Sequence, residues 1–203
     1  MPRFFQHSNE ILANQSSRLV RKTVCAVLSI DSSIKGGVGR TTTAIHLAAF
    51  LNQLAPTLLV ECDPRSTTLE WYQGWLPYRV EQVSKCAELS QEFTHTVIDT
   101  DARYRLDTFR TWAESSDWLT IPAQPHVTGD VEYLKWIVEE LRSVPDVRCE
   151  SLLTRVPARG PQALRVRAQL EEQGIPLFTS KIPNLTAFPK AAYQRGLVQT
   201  VPD

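Results

Sequence analysis

A glycine-rich loop between an apolar run and a helical segment is the feature that most restricts what this chain can fold into. The apolar run extends from Val24 to Ile30, and shortly after it comes the sequence Lys35-Gly36-Gly37-Val38-Gly39-Arg40-Thr41-Thr42-Thr43. Glycines let backbone N–H groups turn toward an anion, and the N-terminus of a helix carries partial positive charge. The segment therefore predicts a phosphate-binding loop whose ligand is a nucleotide.

The loop departs from the strict P-loop pattern at two positions. Ile34 stands where that pattern has its first glycine, and Arg40 stands where it has lysine. With Lys35 directly before two glycines, the loop resembles the deviant Walker A loop of the ParA/MinD family of ATPases, and within it the small ParA-type (ParF-like) partition ATPases. In that family the early lysine reaches across an ATP-sandwiched dimer. The resemblance thus implies a catalytic Lys35 and an ATP-bound homodimer, with higher polymers left open.

Three later motifs resemble the same family in the expected order. Residues 61–65, Glu-Cys-Asp-Pro-Arg, resemble its second-strand motif, in which Asp63 would position the attacking water. Residues 96–100 resemble the Walker B strand, whose Asp99 would hold Mg²⁺, usually through water. Residues 118–125 resemble a further strand that reads Val-Ile-Pro-Val-x-Pro. The resemblance implies ATP and Mg²⁺ as cofactors.

The resemblance also assigns roles residue by residue. The loop backbone would hold the phosphates, the Thr41 hydroxyl would bind Mg²⁺, and the adenine would lie near residues 154–155 and 182–184. The resemblance alone favours ATP; guanine would call for an Asn-Lys-x-Asp motif, which the chain does not contain. The residues expected to bind ATP are Lys35, Gly36, Gly37, Val38, Gly39, Arg40, Thr41, Thr42, Thr154, Arg155 and Pro183.

Arg40 sets the expected rate. Arginine is longer than lysine, planar and forked, so it can neutralise phosphate charge but in a different geometry. We expect ATP binding that is weaker or differently tuned, with slow turnover. The alternative is that Arg40 prevents nucleotide binding.

Strand-like and helical segments alternate along the chain, which predicts an α/β fold with a doubly wound, mostly parallel sheet of about seven strands and helices on both faces. Residues 23–203 are expected to form a single P-loop ATPase domain. Residues 1–22 are interpreted as an N-terminal extension: a flexible surface arm, or alternatively an arm that binds a partner or DNA. The predicted strands are Val24–Ile30, Thr57–Glu61, Tyr78–Val83, Thr94–Asp99, Trp118–Pro122, Cys149–Thr154 and Leu177–Ile182.

Composition excludes some classes of protein. Lys and Arg number 22, as do Asp and Glu, so no overall charge favours nucleic acid or membrane. The four cysteines are far apart in sequence, which argues against a disulfide scaffold or a structural metal site. No apolar run approaches the length of a membrane span. We therefore expect a cytoplasmic protein without a membrane partner.

The family resemblance implies a cellular task. ATP-bound ParA dimers coat nucleoid DNA without sequence preference, and a cargo-bound activator, ParB-like or centromere-binding, releases them. A nucleoid-associated ATPase that segregates DNA or positions a cargo is one interpretation; a weakly hydrolysing or non-hydrolysing nucleotide-dependent scaffold is the alternative. DNA contact needs clustered cations. The expected DNA-binding residues, treated as one patch in the C-terminal third, are Arg159, Arg165, Arg167, Lys190 and Arg195.

Overall fold

The computed structural model describes residues 23–27, 37–63, 74–100, 106–125, 128–144 and 146–200. Within these ranges, seven strands form one sheet in which every neighbouring pair is parallel. The strands are β1 (Thr23–Val27), β2 (Thr57–Glu61), β3 (Arg79–Gln82), β4 (His95–Asp99), β5 (Trp118–Ala123), β6 (Cys149–Val156) and β7 (Leu177–Pro183).

Helices connect the strands, as parallel pairing requires. In chain order they are α1 (Arg40–Asn52), α2 (Cys86–Leu89), α3 (Leu106–Ser115), α4 (Thr128–Leu141), α5 (Gln162–Glu172) and α6 (Ala187–Tyr193). Short 3₁₀ turns at Val83–Lys85 and Ser90–Glu92 flank α2, and another, Val198–Thr200, follows α6. Among the described residues, no helix combines the length and the apolar character needed to cross a membrane.

The sheet has an apolar core on each face. Alternate residues of a strand point to opposite faces, so Leu58 and Val60 of β2 pack into one core while Leu59 packs into the other. The first core also takes buried residues of α3, α4 and α5, and we call it the α4 core. The second takes residues of α1 together with Leu197 near the C-terminus, and we call it the α1 core. Helices thus cover both faces, as the sequence predicts.

The strand order, β3-β2-β4-β1-β5-β6-β7, determines where a ligand can bind. From β1, the chain builds one half of the sheet through β2, β3 and β4 and the other half through β5, β6 and β7. In open α/β sheets, ligands bind at the carboxyl ends of the strands where the order reverses in this way. The glycine-rich loop follows β1 and therefore lies at this point.

The fold predicted from sequence is confirmed. All seven predicted strands are present, with ends that differ by a few residues from those expected. The predicted extension, 1–22, lies outside the described residues.

Candidate functional site

The described part of the glycine-rich loop has the backbone that phosphate binding requires. Gly37 and Gly39 have φ angles of 114° and 94°, a left-handed region that side chains with a Cβ rarely adopt. Helix α1 begins at Arg40, and its N-cap residue is Gly39, which has no side chain to accept a hydrogen bond from the first N–H groups of the helix. The first N–H groups of α1 therefore lie at a helix terminus that favours an anion. Lys35 and Gly36 lie outside the described residues.

Residues at the ends of β5 and β6 support this loop. The Thr154 hydroxyl donates to the carbonyl of Val38 at 2.7 Å, and the Gln124 amide donates to the carbonyl of Gly37 at 3.3 Å. Both supporting side chains are buried. The loop is therefore held in place by bonds from beneath, which lowers the conformational cost of binding a ligand.

Arg155 lies over the loop. It has a φ of 48°, and a Cβ placed on Gly37 would come within 3.4 Å of its Nη1 atom. Its exposed guanidinium is thus close to where phosphates would bind, whereas the expected contact of Arg155 was with the adenine, and that contact stays a prediction. The Thr154 hydroxyl donates to the Val38 carbonyl of the loop. The expected contact of Thr154 with the adenine stays a prediction.

Arg40 and Asp99 meet at the centre of the site. Arg40 Nε lies 3.2 Å from Asp99 Oδ1, and the two side chains are only 16% and 2% exposed. Thr41, the first residue after Arg40, makes a side-chain hydrogen bond with Asp99. The structure therefore brings together the two expected metal ligands, Thr41 and Asp99, with Arg40 beside them.

The surroundings of Asp99 disfavour its negative charge. Burial raises the pKa of Asp99 to about 7, and the nearby Glu61 carboxylate also raises it, whereas Arg40 and the Thr41 hydrogen bond act in the opposite direction. A carboxylate in this environment gains from a cation in contact with it. Positive charge in addition to that of Arg40 would therefore stabilise the ionised form of Asp99.

Glu61 is a site residue that the sequence analysis missed. It is buried, and it pairs in register with Asp99 on the neighbouring strand. Its Oε1 atom accepts a hydrogen bond of 2.9 Å from the backbone N–H of Asp63. This bond fixes the turn that carries Asp63, so the expected water-positioning carboxylate is held at the end of β2. A charged residue at the end of an otherwise apolar strand was the available signal.

The surroundings of Cys62, which lies between Glu61 and Asp63 in sequence, disfavour its thiolate form. Burial raises the pKa of Cys62 well above its usual value, and the charges of Asp99 and Glu61 raise it further. A thiolate is the reactive form of cysteine. Cys62 is partly buried and packs against the α4 core.

The residues present fit a phosphate chain with a divalent cation. Arg40 Nε, Arg40 Nη1 and Asp99 Oδ1 are buried and make no hydrogen bond among the described residues. Such atoms normally find a partner. The described ranges contain no group of three or more His, Cys, Asp or Glu side chains that could hold a metal ion. A cation here would consequently rely on Thr41, Asp99 and the phosphates, as a nucleotide-bound Mg²⁺ does.

The end of β7 completes the rim of the site. Pro183 pairs in register with Val156 of β6, and the backbone N–H of Asn184 donates to the Val156 carbonyl at 2.9 Å. The half-buried Pro183 therefore lies beside the end of β6 that carries Arg155. This position is compatible with the expected adenine contact, which stays a prediction.

Helices on opposite faces of the sheet carry three of the expected DNA-binding residues, Arg165, Arg167 and Lys190, and their joint contact with DNA stays a prediction. Helix α5, which carries Arg165 and Arg167, buries Ala163 and Leu170 in the α4 core. Helix α6, which carries Lys190, lies on the other face, where Phe188 contacts His46 of α1 edge to face at 5.6 Å. The sheet thus separates the basic residues of α5 from those of α6.

Individual basic residues also differ in their availability. Arg167 donates to the carbonyl of Phe178 at 2.8 Å and pairs with Glu171 at 3.3 Å. Arg195 lies 5.8 Å from the centre of the Trp75 ring. Arg159 and Arg165 are exposed. The sequence grouped these residues by proximity along the chain, which says nothing about the face of the sheet.

Comparisons with known proteins identify the family. Residues 32–198 match the family described as the CobQ/CobB/MinD/ParA nucleotide binding domain. This match covers most of the 203 residues, so the chain belongs to that family. The resemblance to ParA/MinD ATPases inferred from the motifs is confirmed.

Individual relatives resemble the chain over most of its length. It is 30% identical over 169 residues to the Maintenance of carboxysome distribution protein A of Gloeobacter kilaueensis, which covers 79% of this chain and 78% of that protein. A Cyanothece McdA variant in complex with ATP has a TM-score of 0.65 at 19% identity and covers 89% of this chain and 90% of that one. A putative plasmid partition protein from Borrelia burgdorferi bound to AMPPNP has a TM-score of 0.65 at 16% identity, with coverages of 89% and 95%. At these identities the solved structures show a shared fold.

Proposed function

We propose that this chain is an ATPase that binds ATP with Mg²⁺, dimerises around it and positions a cargo inside the cell. The observation that carries the proposal is the meeting of a phosphate-binding loop with Thr41 and Asp99 at the topological switch point of the sheet. When bound, Mg²⁺ would neutralise phosphate charge. Thr41 and Asp99 would hold it, and the loop N–H groups would hold the phosphates.

Hydrolysis is supported by Asp63. Its backbone is held by Glu61 at the carboxyl end of β2, next to the strand that ends in Asp99. A carboxylate in this position can orient a water molecule for attack on the terminal phosphate. A protein that only bound nucleotide would have no need of a carboxylate so positioned.

The kind of cargo is proposed from the relatives. One relative is named for carboxysome distribution and another is a putative plasmid partition protein. Cargo positioning is common to both names, so we favour a large cargo moved by an ATP-dependent cycle. Release would depend on an activator bound to that cargo. Binding to DNA without sequence preference would supply the track and would place the protein on the nucleoid.

A second candidate function is a nucleotide-dependent scaffold that hydrolyses ATP very slowly. Arg40 favours it, because this residue is paired with Asp99, the carboxylate that would hold Mg²⁺. Both candidates bind nucleotide and dimerise. The two candidates differ in whether a water molecule oriented by Asp63 attacks the terminal phosphate of ATP.

Steady-state ATPase measurements distinguish the candidates. The rate is measured for the parent, Asp63→Ala and Asp117→Ala, each with and without duplex DNA; Asp117 is an exposed carboxylate before the amino end of β5, away from the site. The proposed ATPase predicts slow hydrolysis in the parent and in Asp117→Ala, with none in Asp63→Ala. ATP binding without measurable hydrolysis in all three proteins would favour the scaffold.

A further inference from the structure

The contact between Arg40 and Asp99 is an incomplete ion pair. It joins one nitrogen, Arg40 Nε, to one oxygen, Asp99 Oδ1, at 3.2 Å, without hydrogen-bond geometry. Arg40 Nη1 is also buried and makes no hydrogen bond within the described part of the chain. The guanidinium therefore meets the negative charge of Asp99 but leaves buried donors unsatisfied.

A phosphate chain would satisfy those donors better. Guanidinium groups bind phosphate oxygens through two parallel hydrogen bonds, and such charge-assisted bonds are the strong ones. Arg40 is the first residue of α1, directly after the loop that would hold the phosphates. A short rotation of its side chain would exchange one carboxylate oxygen for phosphate oxygens.

The same carboxylate is also the expected metal ligand. The Asp99 side chain is 2% exposed, and it makes a hydrogen bond with Thr41 in addition to its ion pair with Arg40. A guanidinium and a divalent cation repel each other, so they cannot share one buried oxygen at low cost. Departure of Arg40 is therefore coupled to arrival of the cation.

We infer that Arg40 is a positioning residue that occupies Asp99 in the nucleotide-free protein and moves to the phosphates when nucleotide binds, so that the metal ligand becomes available only with nucleotide present. This inference rests on the proposed function in one respect, namely that the site takes a phosphate chain. It assigns a role to the arginine that replaces the usual lysine. The replacement orders the binding of nucleotide and metal.

The competing explanation is that Arg40 is a permanent counterion for Asp99 and Glu61. In that case the pair is equally strong with and without nucleotide. The two explanations agree on the free protein and differ on the bound one. A double-mutant cycle measured in both states separates them.

The first measurement is on the nucleotide-free protein. Urea unfolding is followed for the parent, Arg40→Gln, Asp99→Asn and the double variant. We expect Arg40→Gln to raise the unfolding equilibrium constant at least tenfold more when Asp99 is present than when it is Asn, because an unpaired buried carboxylate remains. If Arg40→Gln fails to fold, the double variant should fold again. Independent effects of the two substitutions would overturn the inference.

A matched control is the pair between Arg79 and Glu81, in which two guanidinium nitrogens lie 3.1 and 3.0 Å from one carboxylate oxygen on β3. Arg79 is 45% exposed, so this pair should contribute little. The cycle with Arg79→Gln and Glu81→Gln should show coupling of less than about twofold. Strong coupling there would mean that the method does not isolate the buried pair.

The second measurement is ADP binding by calorimetry without divalent metal. If the pair breaks on binding, Asp99→Asn should tighten ADP binding at least fivefold more in the Arg40 protein than in the Arg40→Gln protein. An equal effect in both proteins would identify Arg40 as a permanent counterion and overturn the inference. Failure of the parent to bind ADP even with Mg²⁺ would instead contradict the proposed function, and the exchange with it.

Discussion

Replacing Thr154 with valine tests whether the phosphate-binding loop is held by the strand beneath it. The Thr154 side chain is 1% exposed, and its hydroxyl donates to the Val38 carbonyl at 2.7 Å. Valine has nearly the same shape but has a methyl group where threonine has the hydroxyl. The substitution therefore removes one hydrogen bond and leaves a carbonyl of the loop without that donor.

The expected magnitude follows from the burial of this contact. A buried polar group left without its partner costs about 1–3 kcal/mol. We expect Thr154→Val to lower the free energy of unfolding by about 1–2 kcal/mol, in the lower half of that range. The loop would also lose part of its preorganisation, so ATP affinity should fall by roughly three- to tenfold.

Urea denaturation and calorimetric titration with ATP and Mg²⁺ are the assays. Thr154→Ser is the matched control, since it keeps the hydroxyl and removes only a methyl group. It should retain most of the ATP affinity, although its small cavity will lower stability somewhat. If valine matches the parent in both assays, or if serine loses as much ATP affinity as valine, the bond to Val38 does not support the loop.

Three further predictions concern dimerisation, pH and DNA. Asp63→Ala should trap an ATP-bound dimer and Lys35→Ala should lose it, as measured by light scattering; monomers in the parent and both variants at saturating ATP would rule out the sandwich dimer. Burial lowers the pKa of His46, so protons bind the unfolded chain preferentially. The contribution of His46 to the free energy of unfolding should thus be level above about pH 6.5 and fall as pH drops from there through the folded pKa, and urea titrations should find this fall as the difference between the parent and His46→Gln. If ATP switches the protein onto DNA through phosphate contacts, Arg165→Ala or Lys190→Ala should each flatten the salt dependence by about one phosphate equivalent in gel shifts; ATP-independent binding would oppose the proposal.

Local patterns in the sequence were sufficient to predict the fold. Strand β2, for example, is a short buried run that is apolar from Leu58 to Val60, and the helix after the loop has Ala44 and Ala48 at helical spacing, both of them buried. The carboxylates at 63 and 99 could be placed in one site because parallel strands end at the same edge of the sheet. These inferences depend on a few neighbouring residues or on a rule that holds for the whole fold.

Contacts between distant segments could not be predicted in the same way. The bond from Thr154 to Val38 joins residues 116 positions apart, and the one from Gln124 to Gly37 joins residues 87 positions apart. No local pattern around either residue of such a pair indicates which distant residue it will contact. The pairing of Arg40 with Asp99 likewise depends on burial that only the packed sheet provides.

The placement of the basic residues of α5 and α6 on opposite faces of the sheet also depends on contacts between distant segments. The segment after β7 returns to the face covered by α1, where the backbone N–H of Val198 donates to His46 at 3.0 Å. Lys190 is therefore on the opposite face from Arg165 although only 25 residues separate them in the sequence. Charge counts along the chain cannot resolve which face a helix covers.

Calorimetric titration of the parent with ATP and with GTP, at millimolar Mg²⁺, tests the central claim most directly. The matched variants are Gly39→Ala, which strains the loop at a φ of 94°, and Gly74→Ala, which has a φ of 80° in open space away from the site. We predict that ATP binds more tightly than GTP to the parent and to Gly74→Ala, and that Gly39→Ala loses most of that affinity. Absent or equal binding of the two nucleotides by the parent, or ATP binding that survives Gly39→Ala unchanged, would contradict an ATP site in this loop.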